Sequence, residues 1–262
     1  MARYLLQTDS GGLDTDYYLI KEQLIKGKYV FNYKEIDTKS LMNIAEKGDI
    51  PIGDIGFVTK YIRETYGIEK ENPIEIPEYL RTDEFLKRKY EIVTWDKIPD
   101  RGNWFIKDVS ELKSFGQVIN CTYSDVKSWF EKPDYEFSTN LVLDKNHLFQ
   151  VSEVFGIKSE YRVYIIDGRI EAISNYNGDC TILPDIDLIK KAVALINVNE
   201  KWLKSYTIDV MVGPRGTAII EIHNFASVGL YNTLWGTNLI YAYRDGIDYL
   251  INDNKELHEW SK

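Results

Sequence analysis

Two acids stand alone inside apolar runs of this sequence, and they are the first residues to suggest chemistry. Asp209 lies in Tyr206-Thr207-Ile208-Asp209-Val210-Met211-Val212, and Glu221 in Ala218-Ile219-Ile220-Glu221-Ile222-His223. Both runs have strand composition, and Gly213-Pro214-Arg215-Gly216 between them reads as a hairpin turn. A connecting loop with an odd number of residues would set the two carboxylates opposite each other. Opposed carboxylates repel by about 0.2–1 kcal/mol, and by more when buried. A cation between them removes that cost, and hard oxygen ligands with His223 or Asn224 one step further suit Mg2+ carried by a nucleotide. In another register the two acids would face solvent.

Cations that could meet phosphate occur earlier. Lys107 ends the apolar run Trp104-Phe105-Ile106, and Lys113 follows in Ser110-Glu111-Leu112-Lys113-Ser114-Phe115-Gly116. Two ammonium groups, one on a strand end and one on a loop, can hold phosphates between point charges; ordinary surface lysines are the alternative. Arg162 alternates with Tyr164 and Ile166, so its guanidinium shares a strand face with apolar neighbours and needs an anionic partner, a phosphate or one of the chain's 41 acids. Gln150-Val151-Ser152-Glu153-Val154-Phe155 is an apolar strand interrupted by a glutamate. Such a strand offers adenine both backbone hydrogen bonds and apolar walls.

The elements that must position these groups follow from pattern. Tyr4 to Leu6 is expected as a strand, Thr15 to Lys26 as an amphipathic helix and Tyr29 to Tyr33 as a second strand, a β-α-β beginning. Residues 52–58 open a helix that runs to Tyr66. Glu71-Asn72-Pro73-Ile74-Glu75-Ile76-Pro77, with two prolines four apart, is extended and marks the expected division into domains 1–80 and 81–262. Thr82 caps a helix that takes in Phe85, Leu86 and the basic run Lys87-Arg88-Lys89. Tyr161 to Tyr176 forms a hairpin turned by Asp167-Gly168. Leu188, Ala192, Leu195 and Ile196 give helical spacing over 188–202.

Composition bounds the partners. A net charge of -9 over 262 residues opposes a general affinity for nucleic acid, so nucleic acid is an unexpected partner. Two cysteines, Cys121 and Cys180, fit reduced thiols, and no run approaches the roughly 18 apolar residues of a membrane span. A soluble, cytoplasmic protein is expected, with no membrane partner.

In chain order, a lysine strand, a second lysine, a Glu-containing apolar strand, an arginine strand, an Asp strand and a Glu-x-His-Asn strand resemble the ATP-grasp fold. The clade they resemble is named for one arginine and two lysines. The stretches that carry the resemblance are Ile50-Pro51-Ile52-Gly53, Ile76-Pro77-Glu78-Tyr79-Leu80, Trp104-Phe105-Ile106-Lys107-Asp108, Glu160-Tyr161-Arg162-Val163 and Ile220-Glu221-Ile222-His223-Asn224-Phe225. They span roughly residues 50 to 235.

The resemblance implies an α+β protein: two α+β subdomains clamping ATP, preceded by a small α/β pre-ATP-grasp domain. It implies that Lys107 and Lys113 contact phosphates, that Arg162 lies near the γ-phosphate and an acyl-phosphate, and that Glu153, Val154 and Phe155 form the adenine hinge. Lys107 and Arg162 would be catalytic. Asp209 and Glu221 would hold Mg2+, with a third ligand at His223 or Asn224, because the usual pattern is Glu-x-Asn. Residues 227–231 would line the acceptor side. The implied activity is an ATP-dependent ligase joining a small-molecule or peptide carboxylate to an amine through an acyl-phosphate. A phosphotransferase or a non-catalytic ATP-binding module is the alternative.

Overall fold

The computed structural model describes residues 2–9, 14–28, 30–68, 76–99, 101–109, 116–120, 148–231, 236 and 238–260. Three sheets organise them. The first is parallel, in the order β2 (Asn32–Ile36), β1 (Arg3–Gln7), β3 (Ile50–Ile52), with helices α1 (Asp14–Lys26), α2 (Leu41–Ile44) and α3 (Ile55–Tyr66) between and beyond its strands. The expected second strand at 29–33 lies three residues later. Amides of Gly27, Val30 and Phe31 bond back onto Gln23 and Gly27, so the chain is still turning there, and Phe31 is buried in the core. Strand β3 went unread in the sequence because it is only three residues long.

Helix α3 begins at Asp54, whose carboxylate accepts from Phe57 N at 2.8 Å, and ends at Gly67 in the left-handed region. Phe57, Val58, Tyr61 and Ile62 share its buried face.

A short helix, α4 (Asp83–Leu86), leads into the second sheet, which is antiparallel in the order β4 (Tyr90–Thr94), β7 (Leu148–Glu153), β5 (Asn103–Asp108), β6 (Gly116–Asn120). The basic run expected inside that helix lies outside it. Lys87 adopts φ 52 and stops the helix, and Arg88 turns inward. The loop expected to carry Lys113, and residues 71–75 of the expected linker, lie outside the described residues.

The third sheet, in the order β11 (Gly216–Asn224), β10 (Tyr206–Gly213), β8 (Ser159–Ile166), β9 (Arg169–Gly178), is antiparallel and carries helix α5 (Ile186–Asn199) on one face. Val163, Ile165, Tyr206, Ile208, Val210 and Ile222 meet Ile189, Ala192, Val193 and Ile196 of that helix in one apolar core. The β8–β9 turn, Asp167-Gly168, has positive φ at both residues, the primed two-residue hairpin that matches strand twist. Helix α6 (Asn238–Trp260) packs elsewhere: Leu239, Ile240, Tyr243, Ile247 and Leu250 share a core with β1, α1 and α3. A division at residue 80 therefore separates in sequence what this core joins in space.

Candidate active site between two sheets

The register of the third sheet assembles the site. Across its strands Ser174 pairs with Arg162, Arg162 with Asp209, and Asp209 with Glu221, a transverse row on one face. The next row holds Ala172, Tyr164, Thr207 and His223. Strand alternation sends the residues between them to the α5 face.

The two acids face each other for an unexpected reason. The β10–β11 loop is the two residues Pro214 and Arg215, an even number, which would pair Asp209 with Ile220. A β-bulge intervenes: Val210 pairs with Ile219, Asp209 with Glu221, and Ile220 is the extra residue. The bulge both aligns the carboxylates and places Ile220 in the wall of the adjacent cavity.

Each carboxylate has its own cation, so mutual repulsion is not the governing term expected from sequence. Arg162 donates from Nε and Nη2 to Asp209, 2.8 Å each, a bidentate pair whose members are almost fully buried. Burial opposes the guanidinium charge, but Asp209 more than compensates and the Arg162 pKa is raised. Lys107, reaching across from β5, donates to Glu221 Oε2 at 2.5 Å, and His223 Nε2 lies 2.8 Å from Oε1. Burial alone would push the Glu221 carboxyl up; His223 and Lys107 together hold it well below the usual carboxylate range.

One ligand atom each from Asp209, Glu221 and His223 lies within 4.8 Å of the others. Ligands on an octahedral ion stand ~3 to ~4 Å apart, so small side-chain shifts would let the three share a divalent cation. Fully buried Thr207 Oγ1 has no hydrogen-bond partner among the described residues, and register sets Thr207 directly opposite His223. Both observations fit a metal at this spot. Asn224 does not join the cluster: it belongs to the opposite face, and its Oδ1 accepts from Ala226 N at 2.9 Å, capping the 3-10 turn Phe225–Ser227.

Next to the acids, between the second and third sheets, is a cavity of about 470 Å3. Phe105, Val118, Met211 and Ile220 supply apolar walls, Gln150 and Ser152 polar ones, and the paired Lys107 and Glu221 charged ones. That volume is ordinary for a small-molecule site. Glu153, Val154 and Phe155 all line it. The Glu153 carboxylate is tied back, accepting from Lys89 N at 3.2 Å and Arg215 Nη1 at 3.1 Å. Phe155 packs on Met211 and Ala218, against a strand whose Gly213 leaves it room: a Cβ there would sit 2.2 Å from the ring.

Sequence reasoning missed Arg88, Tyr176 and Asp16 among the neighbours, while Gly229, Leu230 and Tyr231 lie in the stretch expected on the acceptor side. Arg88 lines the cavity, buried, donating from Nη1 to Leu86 O at 3.0 Å and Ile219 O at 2.9 Å, and burial pushes its pKa down to about 10. Its signal was the basic run before a β-prone stretch, Tyr90 to Thr94, read instead as helix. Tyr231 stacks on Tyr176 at 5.1 Å, with the Arg162 guanidinium 5.0 Å from the Tyr231 ring. Gly229 O accepts from Arg162 Nη1 and from Tyr164 Oη, and Asp16 of α1 accepts from Leu230 N at 2.9 Å. Burial raises the Asp16 pKa against the lowering effects of Leu230 N–H and Arg162.

A family profile described as an ATP-grasp domain, family 2 of the clade named for one arginine and two lysines, matches residues 85–235, from α4 past the row of acids. The chain belongs to this family. Solved ATP-grasp structures agree in fold over nearly the whole chain. The ATP-grasp ligase PsnB, complexed with a minimal precursor, is 12% identical with a TM-score of 0.52, covering 94% of this chain and 98% of its own. A RimK-domain ATP-grasp protein from Sphaerobacter thermophilus is 10% identical at 0.52, covering 96% and 98%, and the D-cycloserine synthetase DcsG is 12% identical at 0.50, covering 96% and 99%. No curated protein matches. The α+β architecture is thus the ATP-grasp fold, with the parallel sheet β2-β1-β3 in front of it. Among the described residues no helix is long and apolar enough to cross a membrane.

Proposed function

We propose that this ATP-grasp chain is a ligase that activates a carboxylate with ATP and joins it to an amine. The carrying observation is the row Arg162–Asp209–Glu221, met by Lys107 from the facing sheet at the end of a cavity sized for a nucleoside. The cavity would take the base, with Phe105, Met211 and Ile220 as walls and the backbone of 153–155 as hydrogen-bonding edge. Lys107, Arg162 and, by the family resemblance, Lys113 would hold phosphate oxygens. Asp209, Glu221 and His223 would hold a divalent metal, which when bound offsets phosphate charge.

Lys107 and Arg162 are held at the site by Glu221 and Asp209, and binding would exchange those carboxylates for phosphate oxygens as the metal takes the acids. In the reaction proposed, a substrate carboxylate oxygen attacks the γ-phosphorus and ADP departs, leaving an acyl-phosphate. The amine, in its neutral form, then attacks the acyl carbon, inorganic phosphate departs, and the proton lost from nitrogen leaves with the phosphate. Arg162, on the side of the row that faces Gly229 and Tyr231, would orient the carboxylate and the transferring phosphoryl group. Asp16 and the stacked Tyr176–Tyr231 pair border the same end and suit a cationic amine.

The test is ADP release from MgATP against panels of amino acids and small peptides, with hydroxylamine as a trap. ADP formation that needs a carboxylate, and hydroxamate appearing on that carboxylate, is the expected result. ADP formation indifferent to carboxylates, or a stable phosphorylated product, would overturn the ligase reading.

A further inference from the structure

We infer that His223 makes the nucleotide-associated metal site of this chain a mixed nitrogen and oxygen site that selects Mn2+ over Mg2+. This rests on the function proposed above and specifies its metal. Past the bulge strand β11 alternates regularly, and from Glu221 onward it presents Glu221 and His223 to the cleft. The amide oxygen that could have completed an all-oxygen set belongs to Asn224, which is turned away and occupied in capping Ala226. Among the described residues the donor set within reach is therefore two carboxylates and one imidazole.

Mg2+ is small and hard, prefers oxygen and gives up its own waters reluctantly. Imidazole nitrogen is a softer donor, and divalent transition metals gain more from it than Mg2+ does. Substituting imidazole for an amide oxygen thus raises affinity for Mn2+ without a matching gain for Mg2+.

Two further features support His223 as a ligand rather than as packing. Its Nε2 already lies 2.8 Å from Glu221 Oε1, so the imidazole stands at the carboxylates and not on the apolar face. Thr207, directly across the ladder, carries a buried hydroxyl with no partner among the described residues. A metal-bound histidine commonly donates its other ring N–H to a fixed oxygen acceptor, a role the Thr207 hydroxyl would fill here. Arg162 and Lys107, which are paired with the acids, are the groups that nucleotide phosphates would draw away as the cation enters.

The experiment uses Mn2+ with a non-hydrolysable ATP analogue and the full chain. Pulsed electron paramagnetic resonance on the complex should reveal strong coupling of Mn2+ to a nitrogen. Labelling the protein's histidines with 15N should convert that coupling, and His223→Asn should abolish it with the same nucleotide bound. Competition of Mg2+ against bound Mn2+ should show the wild type favouring Mn2+ about tenfold or more beyond the His223→Asn variant. Mn2+ that binds with the nucleotide but without histidine nitrogen coupling, or with equal selectivity in both proteins, overturns the inference alone. No Mn2+ or nucleotide binding at all overturns the underlying function as well. The isotope comparison needs only wild-type protein, so a variant that fails to fold does not rescue the idea.

Discussion

One sheet, two faces: on the α5 side the strands β8, β10 and β11 present Val163, Ile165, Ile208 and Ile222, each buried to the last few square ångströms, against one stripe of a capped helix. On the cleft side the same strands present Arg162, Asp209, Glu221 and His223, joined by ion pairs that reach across to a different sheet. The first face is held mainly by non-directional burial, and its few polar groups, such as the Tyr206 hydroxyl and the Asn224 amide, are hydrogen-bonded. The second consists of charges that satisfy one another yet can each take a new partner. Cohesion is concentrated on one side and exchangeable charge on the other, so damage to each should read out differently.

The largest expected effect is on the apolar side. Ile208→Ala should cost about 2–5 kcal/mol, as buried large-to-small changes do, measured by denaturant unfolding, while the folded fraction binds nucleotide as before. Nucleotide affinity falling as steeply as stability would break the separation of the two faces.

Asp209→Asn comes next. It leaves the buried Arg162 guanidinium short of a charged partner, so the ligand-free protein should lose about 1–3 kcal/mol. Two unrelieved opposed carboxylates would give the reverse sign, and a gain in stability would restore that picture.

A pH series on Glu221→Gln sharpens the comparison further. The carboxyl titrates lower in the folded than in the unfolded chain. Its stabilisation is therefore complete above the unfolded value of about 4.3 and is lost as pH falls from there toward the folded one. The stability gap between wild type and variant should be present at about pH 5 and narrow below about pH 4. A gap that stays unchanged below about pH 4 would place its origin elsewhere.

The smallest effect belongs to the cavity rim. Arg215 pairs with Glu153 while both stay substantially exposed, so Arg215→Ala should shift stability by no more than about 1 kcal/mol in a thermal melt. A larger loss would make the guanidinium's position over Phe155, 5.4 Å from the ring, part of the packing rather than its cover.

Much of the cleft face was legible because strand chemistry is written with period two. Single charged residues in apolar runs, at Asp209, Glu221 and Arg162, could be placed on faces from spacing alone, and both hairpin turns announced themselves through glycine. The opposition of the two acids was inferred under a condition on loop length that the structure does not meet. A one-residue bulge has no local signature in Val210 or Ile220, so the pairing came out by a route that spacing could not reveal. The cation partners were equally hidden: Lys107 meets Glu221 from a strand 114 residues away, a contact that only tertiary packing creates. Arg88 was lost for a different reason. Lys87-Arg88-Lys89 has good helix propensity, but a neighbouring stretch pairs with β7 and tertiary context prevailed. The choice between His223 and Asn224 needed the strand's register, and no composition rule supplies that.

The packing of α6 into the first core has a consequence for how the chain is made. Leu5, Leu24 and Phe57 cannot complete their surroundings until Leu239, Tyr243 and Ile247 exist. Gly236 N meets the Gln23 side chain across 213 residues, and Leu230 N meets Asp16 across 214. At synthesis rates of about 5–20 residues per second, the β2-β1-β3 sheet waits roughly 10–40 s after emerging before its covering helix follows. In the last few seconds of that wait, once β11 has emerged, the sheets that hold the row of acids can begin to close on each other. The segment translated first should be the last to become resistant to protease on the ribosome.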